Sequence, residues 1–222
     1  MTTKAKIWKA LLVVAMCGAL MCTACSTNWI NEAEQIVAAL IPATANLVTL
    51  VGTLEGRNVT ASDFQTIESA GSQAGADLQL MQSLIAQYKK ADTSAQPGLL
   101  NQIQVAMGAV QTSLNGLLPA LHIKNTATQA KVSAVIGILL SEVQSMAAIV
   151  PFVNSSASPA MTMLAARQVK KQPPLTASEF VSSYNLTMAA KTGDINLDHA
   201  TSGLRIHTHD KFARWASAGL LK

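Results

Sequence analysis

Aromatic residues make up only 4% of this chain and charged residues 13%, and all three cysteines fall within residues 1–25. With so few aromatics, a buried core has to be built from Leu, Ile, Val, Met and Ala. Together with abundant Ala and Gln, that scarcity favours helix over strand. Residues 26–222 contain no thiol, so that stretch offers neither a disulfide framework nor a cysteine nucleophile. A Gly-rich phosphate loop, a Gly-x-Ser-x-Gly elbow, a Ser-x-x-Lys pair and a His-Glu-x-x-His motif are all missing. The corresponding nucleotide-binding, serine-hydrolase and zinc-peptidase signatures are therefore not written in the chain. No catalytic residue, cofactor-binding residue or small-molecule substrate can be nominated, and no cofactor is expected.

What the chain does have is apolar content. Half of its 222 residues are hydrophobic, enough to bury a core in one domain with an extension. The net charge of +4 is unevenly distributed. Lys4, Lys6 and Lys9 supply +3 at the start; residues 26–153 carry five Lys/Arg against eight Asp/Glu, and residues 154–222 carry eight against four. An acidic body followed by a basic extension is a sign asymmetry. It is not the footprint of a nucleic-acid partner, and none is expected.

The first 25 residues have the layout of a secretory signal. The three lysines precede an apolar run, Ala10 to Met21, that is long enough for a signal core and short for a membrane span. Thr23-Ala24 then gives the small residues a peptidase cleft requires, directly before Cys25. The segment Cys22-Thr23-Ala24-Cys25 resembles the lipobox of bacterial lipoprotein precursors, with Cys22 where leucine is usual. The resemblance covers residues 1–25 and implies cleavage after residue 24, with lipid attachment, including palmitate or a related fatty acid, at Cys25. It also implies localisation to the cell envelope, facing the periplasm. Ser26 following the cysteine resembles lipoproteins sorted to the outer membrane. Alternative readings are secretion without lipid, retention of an uncleaved anchor, and a redox Cys22-x-x-Cys25 pair. The last lacks the strand and helix that would flank it.

Four apolar repeats follow. Helix A is expected from Asn28 or Asn31, with Glu32 and Glu34 in its first turn. Its repeat runs Ile30, Ala33, Val37, Leu40, Leu47, Val51 and Leu54; Thr44 is the polar exception, Pro42 implies a kink or break, and Gly56 with Asn58 ends it. Helix B opens on a capping-box-like Thr60-Ala61-Ser62-Asp63 and repeats through Phe64, Ile67, Gly71, Ala74, Leu78, Met81, Ile85 and Tyr88. Helix C repeats through Leu100, Ile103, Met107, Val110, Leu114, Leu117 and Leu121, and helix D through Val132, Ile136, Leu139, Val143, Met146, Val150 and Val153. Similar lengths and short connections predict an all-α fold, an antiparallel four-helix bundle over residues 28–153. Helix A is uncharged from Ile36 to Leu54, approaching the length of a membrane span, but its polar positions favour a buried bundle helix. Gly71 and Gly75 in helix B would allow close helix contact.

Residues 154–175 read as a Ser- and Pro-rich linker, and 176–222 as a partly helical basic extension. Thr176-Ala177-Ser178-Glu179 is a capping box leading to Phe180, Val181, Tyr184 and Met188 on one helical side. A short helix through Met161 and Met163, a brief extended stretch at Leu204–His209 and a last helix through Phe212 and Trp215 complete the expectation. The extension is expected to dock in part, through the helix after Thr176, leaving the final residues loose. His207 and His209, with Asp210 and the upstream Asp198-His199 pair, are the one constellation resembling metal ligands. Solvated histidines are the favoured reading there, and no metal is expected.

The function that follows is a non-enzymatic, envelope-anchored helical scaffold or interaction module. Its partners would be the membrane, through the lipid, and an envelope protein. The alternatives are a metal-dependent enzyme using the C-terminal histidines and a membrane-active bundle whose helix A inserts.

Overall fold

Thr60 and Thr176 each open a helix by the chemistry written around them. Thr60 Oγ1 accepts a hydrogen bond from the Asp63 amide at 3.2 Å. At Thr176 the exchange is reciprocal: the Glu179 amide donates to Thr176 Oγ1 at 3.3 Å and the Thr176 amide to Glu179 Oε2 at 2.8 Å. Asn125 and Asp194 cap two further helices through their side-chain oxygens. The computed structural model describes residues 28–55, 59–120, 122–151 and 175–207. Within them lie α1 (Asn28–Gly52), α2 (Ala61–Lys90), α3 (Gln96–Ala120), α4 (Thr126–Ile149), α5 (Ala177–Ala189) and α6 (Ile195–Ser202). No strand occurs among the described residues, where pairing is limited to an isolated bridge between Glu55 and Val59. The fold is all-α, as expected.

Helix direction follows from connection length. The eight residues joining α1 to α2 span at most about 28 Å, whereas a 25-residue helix is about 37 Å long. The chain therefore has to turn back. Lys89, near the end of α2, reaches Glu34, near the start of α1, at 3.1 Å. Trp29 meets Tyr88 edge to face there, with ring centroids 5.1 Å apart. At the opposite end Phe64 lies against Gly52. The four long helices contact one another in a ring, α1 to α2 to α3 to α4 and back to α1, which is the outline of an antiparallel bundle.

The predicted seams face inward. Ile67, Ala74, Leu78, Met81 and Ile85 of α2, and Ile103, Val110, Leu114 and Leu117 of α3, are fully buried. Leu84 and Ala106 join them from just outside the assigned repeats. Phe64 and Tyr88 are partly buried at the two ends, while Leu121 and Val153 lie outside the described residues.

One expectation about α1 needs correction, and of the kink or break expected at Pro42 the break falls away. The helix begins at Asn28 with no acid in its first turn, so Glu32 and Glu34 sit one turn further in. Pro42 does not break it; α1 runs unbroken to Gly52. The lost hydrogen bond to Ala38 is outweighed by burial on both sides of the proline, since Ala39, Leu40, Ala43 and Leu47 are fully enclosed.

Helices α5 and α6 add to the ring. Helix α5 packs on α4 and α1, and α6 on α5 and α1. Phe180, Val181, Tyr184 and Met188 join the same apolar core as the bundle. Helix α5 runs antiparallel to α4: Leu175 N donates to Ser145 Oγ at 3.1 Å near its start, and Ala190 O accepts from Lys131 Nζ at 2.7 Å past its end. The expected extended stretch after Leu204 forms no strand in its described part. Asn185 instead holds it, donating to Ile206 O and accepting from Ile206 N, each at 2.8 Å.

Candidate functional site

Cys25, the expected lipid-attachment residue, lies outside the described residues, as do His209, Asp210, Phe212 and Trp215. His207 and His199 are both exposed. Among the described residues no group of three or more His, Cys, Asp or Glu side chains is placed to hold a metal. His122 sits at the surface, 3.4 Å from Asp63. The histidines and acids are thus not gathered into one catalytic arrangement among the described residues.

Buried polar chemistry is instead concentrated where α5 and α6 cover α4 and α1. At one end Lys131, with its side chain 3% exposed, donates to the Ala190 carbonyl at 2.7 Å and to Thr201 Oγ1 at 3.0 Å. Its ammonium therefore sits at the carboxyl end of α5, where the helix dipole favours a cation. Asp198 is 3.9 Å away. Burial lowers the Lys131 pKa, against a smaller opposing pull from Asp198. The Asp198 carboxyl is itself held below its ordinary range, chiefly by the Thr192 amide, which donates to it at 2.9 Å.

Midway along, Asn46 of α1 donates to the Leu204 carbonyl at 2.8 Å, tying the segment after α6 to the bundle. The Tyr184 hydroxyl is buried without a hydrogen bond. Burial pushes its pKa up and so suppresses ionisation, opposed by the neighbouring Asn46 side chain.

Towards the other end lies Glu142. It is completely buried and neither carboxyl oxygen has a hydrogen-bond partner. Burial, then the charges of Glu179 and Glu32, push its pKa up to about 8.

None of Lys131, Glu142, Asn46 and Asn185 stood out from the sequence. The available signal was in helix D, whose apolar residues exceed a single stripe. Val135, Leu140 and Ala147 are buried outside the assigned repeat and widen the buried surface to a second face, which also takes in Lys131 and Glu142. A bundle helix needs one such face. The second implied another covering element.

A separate, shallow groove of about 630 Å³ runs along α2 beside α3, lined by Ser62, Gln65, Thr66, Ser69, Gln73 and Ser113 among others. It is neutral and open. The adjoining glycines divide in role. Gly71 lies so close to Val48 of α1 that a side chain would collide, whereas Gly75 faces open space.

No protein-family model, curated protein or solved structure matches the chain.

Proposed function

We propose that this chain is a lipid-anchored protein of the bacterial cell envelope, its helical body facing the periplasm and acting as a non-enzymatic scaffold or interaction module. The observation that carries the reading is Thr23-Ala24-Cys25 directly behind a basic and apolar leader. The start of α1 at Asn28 supports it further. Three residues of chain span about 10 Å at most, so a lipid on Cys25 would hold the bundle by one end rather than on a long tether. That end carries Trp29, Tyr88, Lys89 and Lys90. A diacylglyceryl group plus an amide-linked fatty acid, palmitate for example, would make a stable anchor where one chain alone is marginal.

Stretches within α1 and α4 are long and apolar enough to cross a membrane, each with mean hydropathy 1.7. Half or more of each stretch is buried inside the protein, which supports a role in the core. Fractionation separates anchoring from insertion. The natural chain should sediment with membranes, and Cys25→Ala should either become soluble or remain an uncleaved precursor. A cleaved Cys25→Ala chain that resists alkaline carbonate extraction would favour insertion of α1 or α4 and count against the lipid as the sole anchor.

A further inference from the structure

We propose that Glu142 is a proton-operated latch for α5: with the carboxyl protonated, α5 lies closed on α4 and α1, and loss of the proton to solvent favours its release. The case begins with burial. Glu142 has no exposed surface and neither oxygen meets a hydrogen-bond donor. Such a group is tolerated neutral and strongly disfavoured ionised.

Its position selects the element that responds. Helices α4 and α5 are antiparallel, with Ser145 level with Leu175 and Lys131 level with Ala190. This places Glu142 level with the first turn of α5, where Glu179 closes the capping box. Glu142 therefore lies beneath the start of the helix it would release.

The charges around it offer no relief. From α5 the charged group is Glu179, whose carboxylate is held by Thr176. Helix α1 presents Glu32, while its other acid, Glu34, is paired with Lys89. Helix α3 carries no charged residue from Gln96 to Ala120. On α4 itself the other ionisable group is Lys131, three turns away and committed to Ala190 and Thr201. The ionisable groups of α6, Asp198 and His199 with the cap Asp194, belong to a helix packed against α5 and α1. Among the described residues, both charges acting on Glu142 are therefore negative, and each opposes its ionisation.

Opening α5 would return Glu142 to water and bare Phe180, Val181, Tyr184 and Met188. Because the closed state holds a proton that the open state releases, the opening constant should rise about tenfold per pH unit between the two titration ranges. Hydrogen exchange of the full chain, corrected for intrinsic rates, reads this directly. Between pH 5.5 and 7.5 opening of residues 180–189 should increase about a hundredfold in the natural chain and stay flat in Glu142→Gln. At each pH, residues 180–189 should open at a lower free energy than the cores of α2 and α3, which exchange only on global unfolding. Glu142→Leu, which needs no donor, serves if the glutamine variant folds poorly and should also be flat. The same slope in the natural chain and a folded variant would overturn the latch. So would a flat natural chain, or residues 180–189 opening at the same free energy as α2 and α3, which would show that α5 is released only on global unfolding.

Discussion

Gly71 and Gly75 occupy one face of the same helix, yet the two sites call for opposite responses to a methyl group. At Gly71 an added Cβ would run into Val48, a β-branched side chain with little rotamer freedom. Gly71→Ala should cost about 1–3 kcal/mol through overpacking. At Gly75 there is open space, so Gly75→Ala should stabilise by up to about 1 kcal/mol through helix propensity. Urea unfolding of the two variants checks both signs. Glu142 adds a pH dependence at the same scale. Its carboxyl is raised to about 8 from the ordinary value of 4.5, so between those values the folded chain keeps a proton that the unfolded chain gives up. Its contribution is fully present below pH 4.5, declines as pH rises and is lost above about 8, a change on the order of 4 kcal/mol. Glu179 and Asp198 act in the opposite direction, because their depressed values remove stability on acidification below the ordinary carboxylate range. Thermal melting from pH 5 to 9 should therefore fall steeply in the natural chain and far less in Glu142→Gln. Equal slopes would show that Glu142 is not the group responsible.

At the scale of the element, helices α2 and α3 were the most legible, because each combines one apolar stripe with a polar opposite face. Their seams follow the 3-4 spacing, and Thr60 caps α2 as its neighbours imply. Leu78→Asp and Leu114→Asp should each cost about 4 kcal/mol or more, since both leucines are fully buried and each variant places an unpaired carboxylate in the core. Gln79→Asp, on the exposed side of α2, should shift stability by less than about 0.5 kcal/mol. Equal losses in the three variants, read by denaturant midpoints, would contradict the register. Helix α1 was harder to read. A proline argues locally for a break, but whether a helix continues through it depends on packing on both sides, which is a tertiary property. Helix α4 was read with one face when it has two. Lys131 and Glu142 are polar residues, and residue type alone gives no reason to bury them. Only the position of α5 buries them, and no local pattern in α4 specifies that position.

At the scale of the whole molecule, the capping box at Thr176 and the apolar side of α5 were readable, and they led to a helix that docks. Charge was a poorer guide. The acidic body and basic extension differ in sign, yet the contacts that fasten α5 and α6 are Phe180, Tyr184 and Met188 in the core, the Asn46 and Asn185 amides, and one buried lysine. Surface ion pairs are worth at most about 1 kcal/mol each, too little to hold two helices. The candidate histidine site was read from adjacency in sequence, and exposure of His199 and His207 gives it no enclosing shell among the described residues. The proposed role rests elsewhere, on the basic and apolar stretch before Cys25 and the three-residue step from Cys25 to Asn28. Mass spectrometry of the amino-terminal peptide from membrane-derived protein tests that most directly. The account predicts a chain beginning at Cys25, its mass raised by a diacylglyceryl group and an amide-linked fatty acid such as palmitate. An unmodified Cys25, or a chain still carrying residues 1–24, would contradict it.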